Sequence, residues 1–351
     1  MRFSDGGHSW KRRLRGKRPS AVAIIVLSLW VSACTASPAV LPSVTGDQHS
    51  LSGKLWDVAR QKFVSPDHLV RVAGSADAVL LGEQHDNPDH HQLQAWVLQR
   101  LVERRRRPAV AFEQLDFEDQ PAVDEVLQRR GDAEQLDVAV QWSRSGWPPF
   151  EIYRPVFEVA LQEGLSIRAA NLSRARLRDP NLLDEIAVPL PQRLRNEMAQ
   201  EIAEAHCGHA SGRMTEAMIL MQRHRDAHMA AALADACGVA ATRDGPASAA
   251  GVASEARRDV GDSDGSCVLI AGFGHVRRDR GVPLYLRHQW PQLRVVSVAF
   301  LEVAENLEHP QDYAAAFGDD PRPFDYFWFT PAIARPDPCV EFRRQLEGLA
   351  R

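Results

Sequence analysis

The sequence predicts an α/β fold: a parallel-sheet core flanked by helices, with an inserted helical cap. Three observations carry this. Residues 78–85 (AVLLGEQH) and 268–275 (VLIAGFGH) share one plan, a short apolar run closed by Gly-x-x-His. Such runs bounded by glycine read as strands buried on both faces, as parallel strands are. A third run, 109–114 (AVAFEQ), ends on a carboxylate, and amphipathic helical stretches alternate with all of these. That rhythm belongs to a parallel sheet with right-handed crossovers.

In chain order, a strand is expected at 78–82. A helix follows from Asn87-Pro88, with Asn as cap and Pro at the first helical position. It carries Leu93, Trp96, Val97, Leu98 and Leu101 at helical spacing and ends in Arg104 to Arg107, which suits the negative end of the helix dipole. A strand at 109–113, helices at 119–128 and 151–163, and a strand at 165–170 complete the first half, residues 53–180. Residues 181–238 read as the cap, with helices at 192–207 and 215–236 and no strand between them. The second helix carries Met214, Met218, Met221 and Met229, plus His224 and His228 one turn apart. Methionines at that spacing are ordinary core packing, and Arg223 and Arg225 place the histidines on an exposed face. Residues 239–265 turn to Ala, Gly, Ser, Asp and Arg and read as a flexible linker. The sheet resumes in 266–351, with strands at 267–271, 294–300 and 325–330.

The amino terminus reads as a signal segment. Residues 11–18 (KRRLRGKR) are basic, and the apolar run Ala21 to Val31 is too short to span a bilayer comfortably. It closes on Val31-Ser32-Ala33-Cys34, which resembles a bacterial lipobox. Residues 1–33 are therefore expected to be cleaved, leaving a lipid on Cys34. Thr35 after the cysteine favours the outer membrane over the inner. Residues 34–52 read as a tether. Residues 1–33 hold seven Lys and Arg against one Asp, so their removal takes the net charge from −4 to −10. An acidic chain does not suit nucleic acid. Of the remaining cysteines, Cys267 opens a buried strand and reads as a packed free thiol. A Cys207–Cys237 disulfide would form if the helix between them folded back.

The chemistry gathers at the strand ends, since ligands of open α/β sheets bind beyond the carboxyl ends of the strands. Glu83, His85, Glu113 and His275 form the core constellation. Imidazoles and carboxylates are ligands for zinc or iron and equally an acid–base set for hydrolysis. His90 and His91 lie in the first turn of the following helix; successive helical residues diverge by about 100°, so one of them at most faces a given pocket. Arg277 and Arg278 would meet an anionic ligand group. Tyrosines, at 153, 285, 313 and 326 only, are each worth testing as a metal ligand. A Gly-x-Ser-x-Gly elbow, a phosphate loop and His-Glu-x-x-His are absent from the sequence.

In this order, LLGEQHDNPDHHQLQ, AFEQLDFEDQ, YRPVFEVA and LIAGFGHVRRDRGVPLYL resemble the ChaN-like lipoproteins of the Tiki/TraB/erythromycin-esterase superfamily. The resemblance spans roughly residues 68–300. It implies haem as the cofactor, a role in iron uptake, and a haem receptor or transporter as partner, with a homodimer as a further expectation. More distant relatives use the equivalent Glu and His positions for hydrolysis, so a hydrolase, with a divalent metal where one is used, is the alternative. A third reading is an envelope assembly factor whose cap recognises another protein. The resemblance places haem against Glu83, His85, His90, His91, Glu113, His275 and Arg277.

Overall fold

The structure, a computed structural model, describes residues 49–178, 188–239, 263–318, 320, 322–337 and 339–340. Cys34 and most of the expected linker lie outside them. The strands are β1 (Leu55–Asp57), β2 (Lys62–Val64), β3 (Ala78–Glu83), β4 (Ala109–Asp116), β5 (Ile167–Asn171), β6 (Cys267–Gly272), β7 (Val295–Glu302) and β8 (Tyr326–Thr330). They form one sheet in the order β2-β1-β8-β7-β3-β6-β4-β5. All neighbours from β8 to β5 are parallel, and β1 joins β8 and β2 antiparallel. The fold is thus α/β, with an antiparallel hairpin added at one edge. Strand β6 slots between β3 and β4, so the three polar strand ends singled out in the sequence stand side by side.

The helices are α1 (Pro66–Gly74), α2 (Pro88–Glu103), α3 (Gln120–Gln128), α4 (Ala133–Ala139), α5 (Phe150–Gln162), α6 (Gln192–Ala205), α7 (Gly212–Ala236), α8 (Val282–Gln289) and α9 (Pro310–Ala316). Helix α2 starts as its sequence requires, with the Asn87 side chain accepting from Asp89 N and Pro88 in the first turn. Side chains alternate along each strand, so successive residues serve opposite faces. Ala78, Leu80, Ala109, Ala111, Leu269 and Ala271 join the cluster with Met229, Ala230 and Leu233 of α7 and Leu286 of α8. The residues between them pack on the other face, where Phe112 stacks on Phe157 of α5 and Trp328 meets Trp96 of α2. This alternation sends Glu83 and Gln114 to the α2/α5 face and Glu113 to the α7 face.

Helix α7 does more than cap. Its second half is the crossover from β5 to β6 and supplies buried Met229, Ala230, Leu233, Ala234 and Ala236 to the sheet core. Arg223 is buried and donates to Val188 O, at 2.5 Å, so the helix face inferred from its charges is not exposed there. At the far edge of the sheet, the Gln120 side chain takes the place of a missing strand. Its Nε2 donates to Ile167 O and its Oε1 accepts from Ala169 N.

The cysteines correct two expectations. Cys267 is no free thiol: it pairs with Cys237 (Cα–Cα 5.1 Å), and Cys207 pairs with Cys339 (5.6 Å) rather than with Cys237. A crossover helix runs antiparallel to the strand it feeds, so the end of α7 comes down beside the start of β6. The intervening chain hides that neighbourhood in the sequence. Replacing Cys237 and Cys267 together by Ser should lower stability by about 3 kcal/mol through the unfolded chain. Urea unfolding should show this as an earlier midpoint.

Candidate functional site

The site is built on the carboxyl ends of β3, β6 and β4. Glycine at 82 allows close approach: a Cβ there would collide with Val276 Cγ2 and stand 2.8 Å from Phe273 Cα. Glycine at 272 makes room for a histidine ring, since a Cβ would lie 2.8 Å from His85 Cε1 and 3.1 Å from its Nε2. Neither glycine adopts a positive φ, so space rather than backbone conformation requires them.

His275 is fully engaged. Its Nε2 lies 3.1 Å from Glu113 Oε1 and its Nδ1 2.6 Å from Asp226 Oδ1, with all three side chains buried. Ionised carboxylates only accept, so both ring nitrogens must donate and the ring is an imidazolium. Burial opposes that charge, but Glu113 and Asp226 outweigh it and push the pKa up to about 10. Burial likewise opposes the Glu113 carboxylate; the charge and hydrogen bond of His275, and the Gly272 N–H donating to Oε2 at 2.7 Å, hold it at about 2. Asp226 has fewer donors, and burial lifts it to about 6. An imidazole with two donated protons has no lone pair for a metal and cannot act as a base. His275 is a buried positive charge that fixes the strand ends.

His85 is arranged differently. Its Nδ1 is 2.8 Å from Glu83 Oε1, which also accepts from Gln114 Nε2 at 3.1 Å. The ring is 39% exposed and meets Trp147 edge-on, with centroids 4.9 Å apart. Nε2 lies on the Gly272 side and has no hydrogen bond among the described residues. Burial opposes its charge, yet Glu83, and more weakly Glu113, raise its pKa to about 9. A carboxylate behind one nitrogen, with the other left unbonded, is the arrangement that orients a metal-ligating or proton-transferring histidine. The other Glu83 oxygen, Oε2, is buried without a partner.

The remaining expected residues support this loop or stand apart from it. Gln84 N donates to His90 Nδ1 at 2.8 Å, so the His90 proton is on Nε2, which donates to Thr330 Oγ1. Burial drives its pKa well down. His91 Nε2 and Tyr153 OH both donate to the His85 carbonyl at 3.1 Å, and the His91 ring packs on Tyr153. Both histidines are fully buried and hold the loop from within, so neither is open to a ligand. Tyr313 OH accepts from Ala304 N, and Tyr326 OH lies 3.4 Å from His68. Arg277 does not meet an anionic ligand here. It has no exposed surface, its Nε and Nη2 donate to Asp279 at 2.9 and 2.6 Å, and Nη2 also donates to Phe317 O. Among the described residues no group of three or more His, Cys, Asp and Glu side chains is arranged to hold a metal ion.

Sequence reasoning missed Asp226 and Trp147. Asp226 had a signal: it sits in the same helical stripe as Ile219, Ala230 and Leu233, an acid where the core pattern asks for an apolar residue. Only the partner across the sheet edge gives it meaning. Replacing His275 by Gln leaves two buried carboxylates facing each other and should cost about 3–5 kcal/mol at neutral pH. A raised imidazole pKa stabilises fully below its unfolded value, 6.5, and less as pH climbs toward about 10. The stability gap between wild type and H275Q, read from urea unfolding, should therefore narrow from pH 7 to pH 10.

Residues 69–286 match the family model described as haem-binding uptake, Tiki superfamily, ChaN. Among solved structures, ChaN of Campylobacter jejuni, described for its cofacial haem binding, superposes with a TM-score of 0.58 at 19% identity, over 78% of this chain and 95% of that one. A type III effector follows at a TM-score of 0.43 and 12% identity (76% and 93% covered). An erythromycin esterase follows at 0.33 and 14% (81% and 84%). No curated protein matches. The family model covers more than half of the sequence, so this chain belongs to the haem-binding uptake family of the Tiki superfamily, ChaN.

Proposed function

We propose that the chain is an envelope lipoprotein that binds haem in the crevice beside His85 and assists haem or iron uptake. One observation carries the assignment of the site: of the two imidazoles at the sheet edge, His275 is consumed by carboxylates while the half-exposed His85 keeps a nitrogen, Nε2, without a hydrogen bond among the described residues. His85 would hold the iron through Nε2, giving up the proton that Glu83 favours, as ligating imidazoles do. Glu83 and Gln114 would fix the ring, and Trp147 would offer an aromatic wall. With Arg277 occupied, the exposed Arg174, whose Nη2 lies 3.7 Å from a Cβ built on Gly146, is the arginine beside this wall that can meet propionates. Bound haem would supply a redox-active iron; the chain supplies orientation and a partly buried wall.

The envelope placement is supported by the lipobox-like ending at Cys34 and by two disulfides, which form and persist in oxidising compartments. No helix among the described residues is long and apolar enough to cross a membrane. A homodimer, and a haem receptor or transporter as the recipient, belong to the same reading.

Hemin titrated into the protein should give a saturable Soret shift. His85→Ala should change its position, Arg174→Ala should weaken binding about tenfold at unchanged spectrum, and Gly272→Ala should weaken it by displacing the His85 ring. A flat titration would overturn haem binding. Ester or peptide turnover lost in H85A and E83Q would instead support the hydrolase, with His85 as the base.

A further inference from the structure

Two long-range fastenings outside the Glu–His cluster converge on the same edge of the sheet. Beyond β8, Pro331 O accepts from Asn87 Nδ2 at 3.3 Å, and Arg335 reaches Asp86 and Glu302 together. Its Nε and Nη2 donate to the two Asp86 oxygens at 2.6 and 2.7 Å, and its Nη1 and Nη2 to the two Glu302 oxygens at 2.6 Å each. Glu302 is the last residue of β7, and Asp86 follows His85. The chain therefore steps past the carboxyl ends of β8, β7 and β3 in that order, toward His85. Four residues on, Cys339 is bonded to Cys207, in the turn between α6 and α7.

That turn stands clear of the sheet. Helix α7 meets His275 through Gln222 and Asp226, and its first residue, Gly212, lies about 15 Å further along at 1.5 Å per residue. Residues 331–337 are mostly exposed, so little burial holds them. Between β8 and the α6–α7 turn their position depends on the guanidinium clamp and the disulfide. Fork-to-carboxylate pairing of this kind is the strong, directional form of an ion pair.

We propose that residues 331–337, together with Cys339, form a strap across the β7–β8 side of the His85 site, fastened by Arg335 and by Cys207–Cys339, that restricts a ligand's entry and exit. Arg335 also pins Asp86, so the same clamp steadies the loop that carries His85. The strap takes its purpose from the ligand site proposed above. Its mechanics are read on His85 itself, so failure of the strap and failure of haem binding give different results.

Diethyl pyrocarbonate should modify His85 in the full chain slowly, with the site read by peptide mass spectrometry. In C207S/C339S, in Arg335→Met, and in the combined variant, the rate at His85 should rise, by about fivefold in the last. Arg335→Lys, which keeps the charge without the fork, should fall between wild type and R335M. If hemin binds, its association and dissociation should both speed up in the combined variant. Circular dichroism and the continued protection of buried His90 would show that the variants are folded. Equal rates at His85 in all folded variants would overturn the strap, as would a rate increase matched at His90.

Discussion

The imidazolium of His275 between Glu113 and Asp226 is the contact on which the site depends. It ties β6 to β4 on one side and to α7 on the other. It exists only because the crossover through α7 returns β6 into the gap between β3 and β4. A buried cation between two buried anions is held against the cost of desolvation by its geometry, and removal of the cation leaves two unpaired carboxylates in the interior. The Gly272 N–H on Glu113 and the space over Gly272 for the His85 ring follow from the same placement of β6.

Pleat alternation divides the labour between the two carboxylates that the sequence placed in one constellation. Glu113 faces α7 and is committed to His275. Glu83 faces α2 and α5, where Gln114 and the Tyr153–His91 pair surround the His85 loop. The edge thus carries one closed ion cluster and one open dyad. Among the described residues of this edge, the dyad alone leaves an imidazole nitrogen without a hydrogen bond.

Much of this was legible in the sequence. The apolar runs before Gly82 and Gly272, and the one before Glu113, gave the three strands and their polar ends, because strands buried on both faces have an unmistakable composition. The Asn87-Pro88 cap and the helices of the cap region were equally plain. What stayed hidden depended on partners distant in the chain. Cys237 meets Cys267 only through the crossover, and Asp226 is an anomaly in a helix until His275 stands opposite. Arg277 looked available because a sequence cannot show Asp279 and Phe317 O closing around it. The short strands β1 and β2 left too few residues for periodicity to register.

The Gln120 amide on β5 has a consequence for how copies of this chain can meet. Sheet edges invite strand addition and aggregation, because their unpaired N–H and C=O groups template another backbone. On the β5 side the amide already occupies Ile167 O and Ala169 N. The opposite edge, β2, is three residues long and begins with Lys62. Among the described residues neither margin offers a long run of free backbone, which disfavours continuing the sheet into a neighbour by edge pairing and leaves side-chain surfaces as the favoured route for copies to meet.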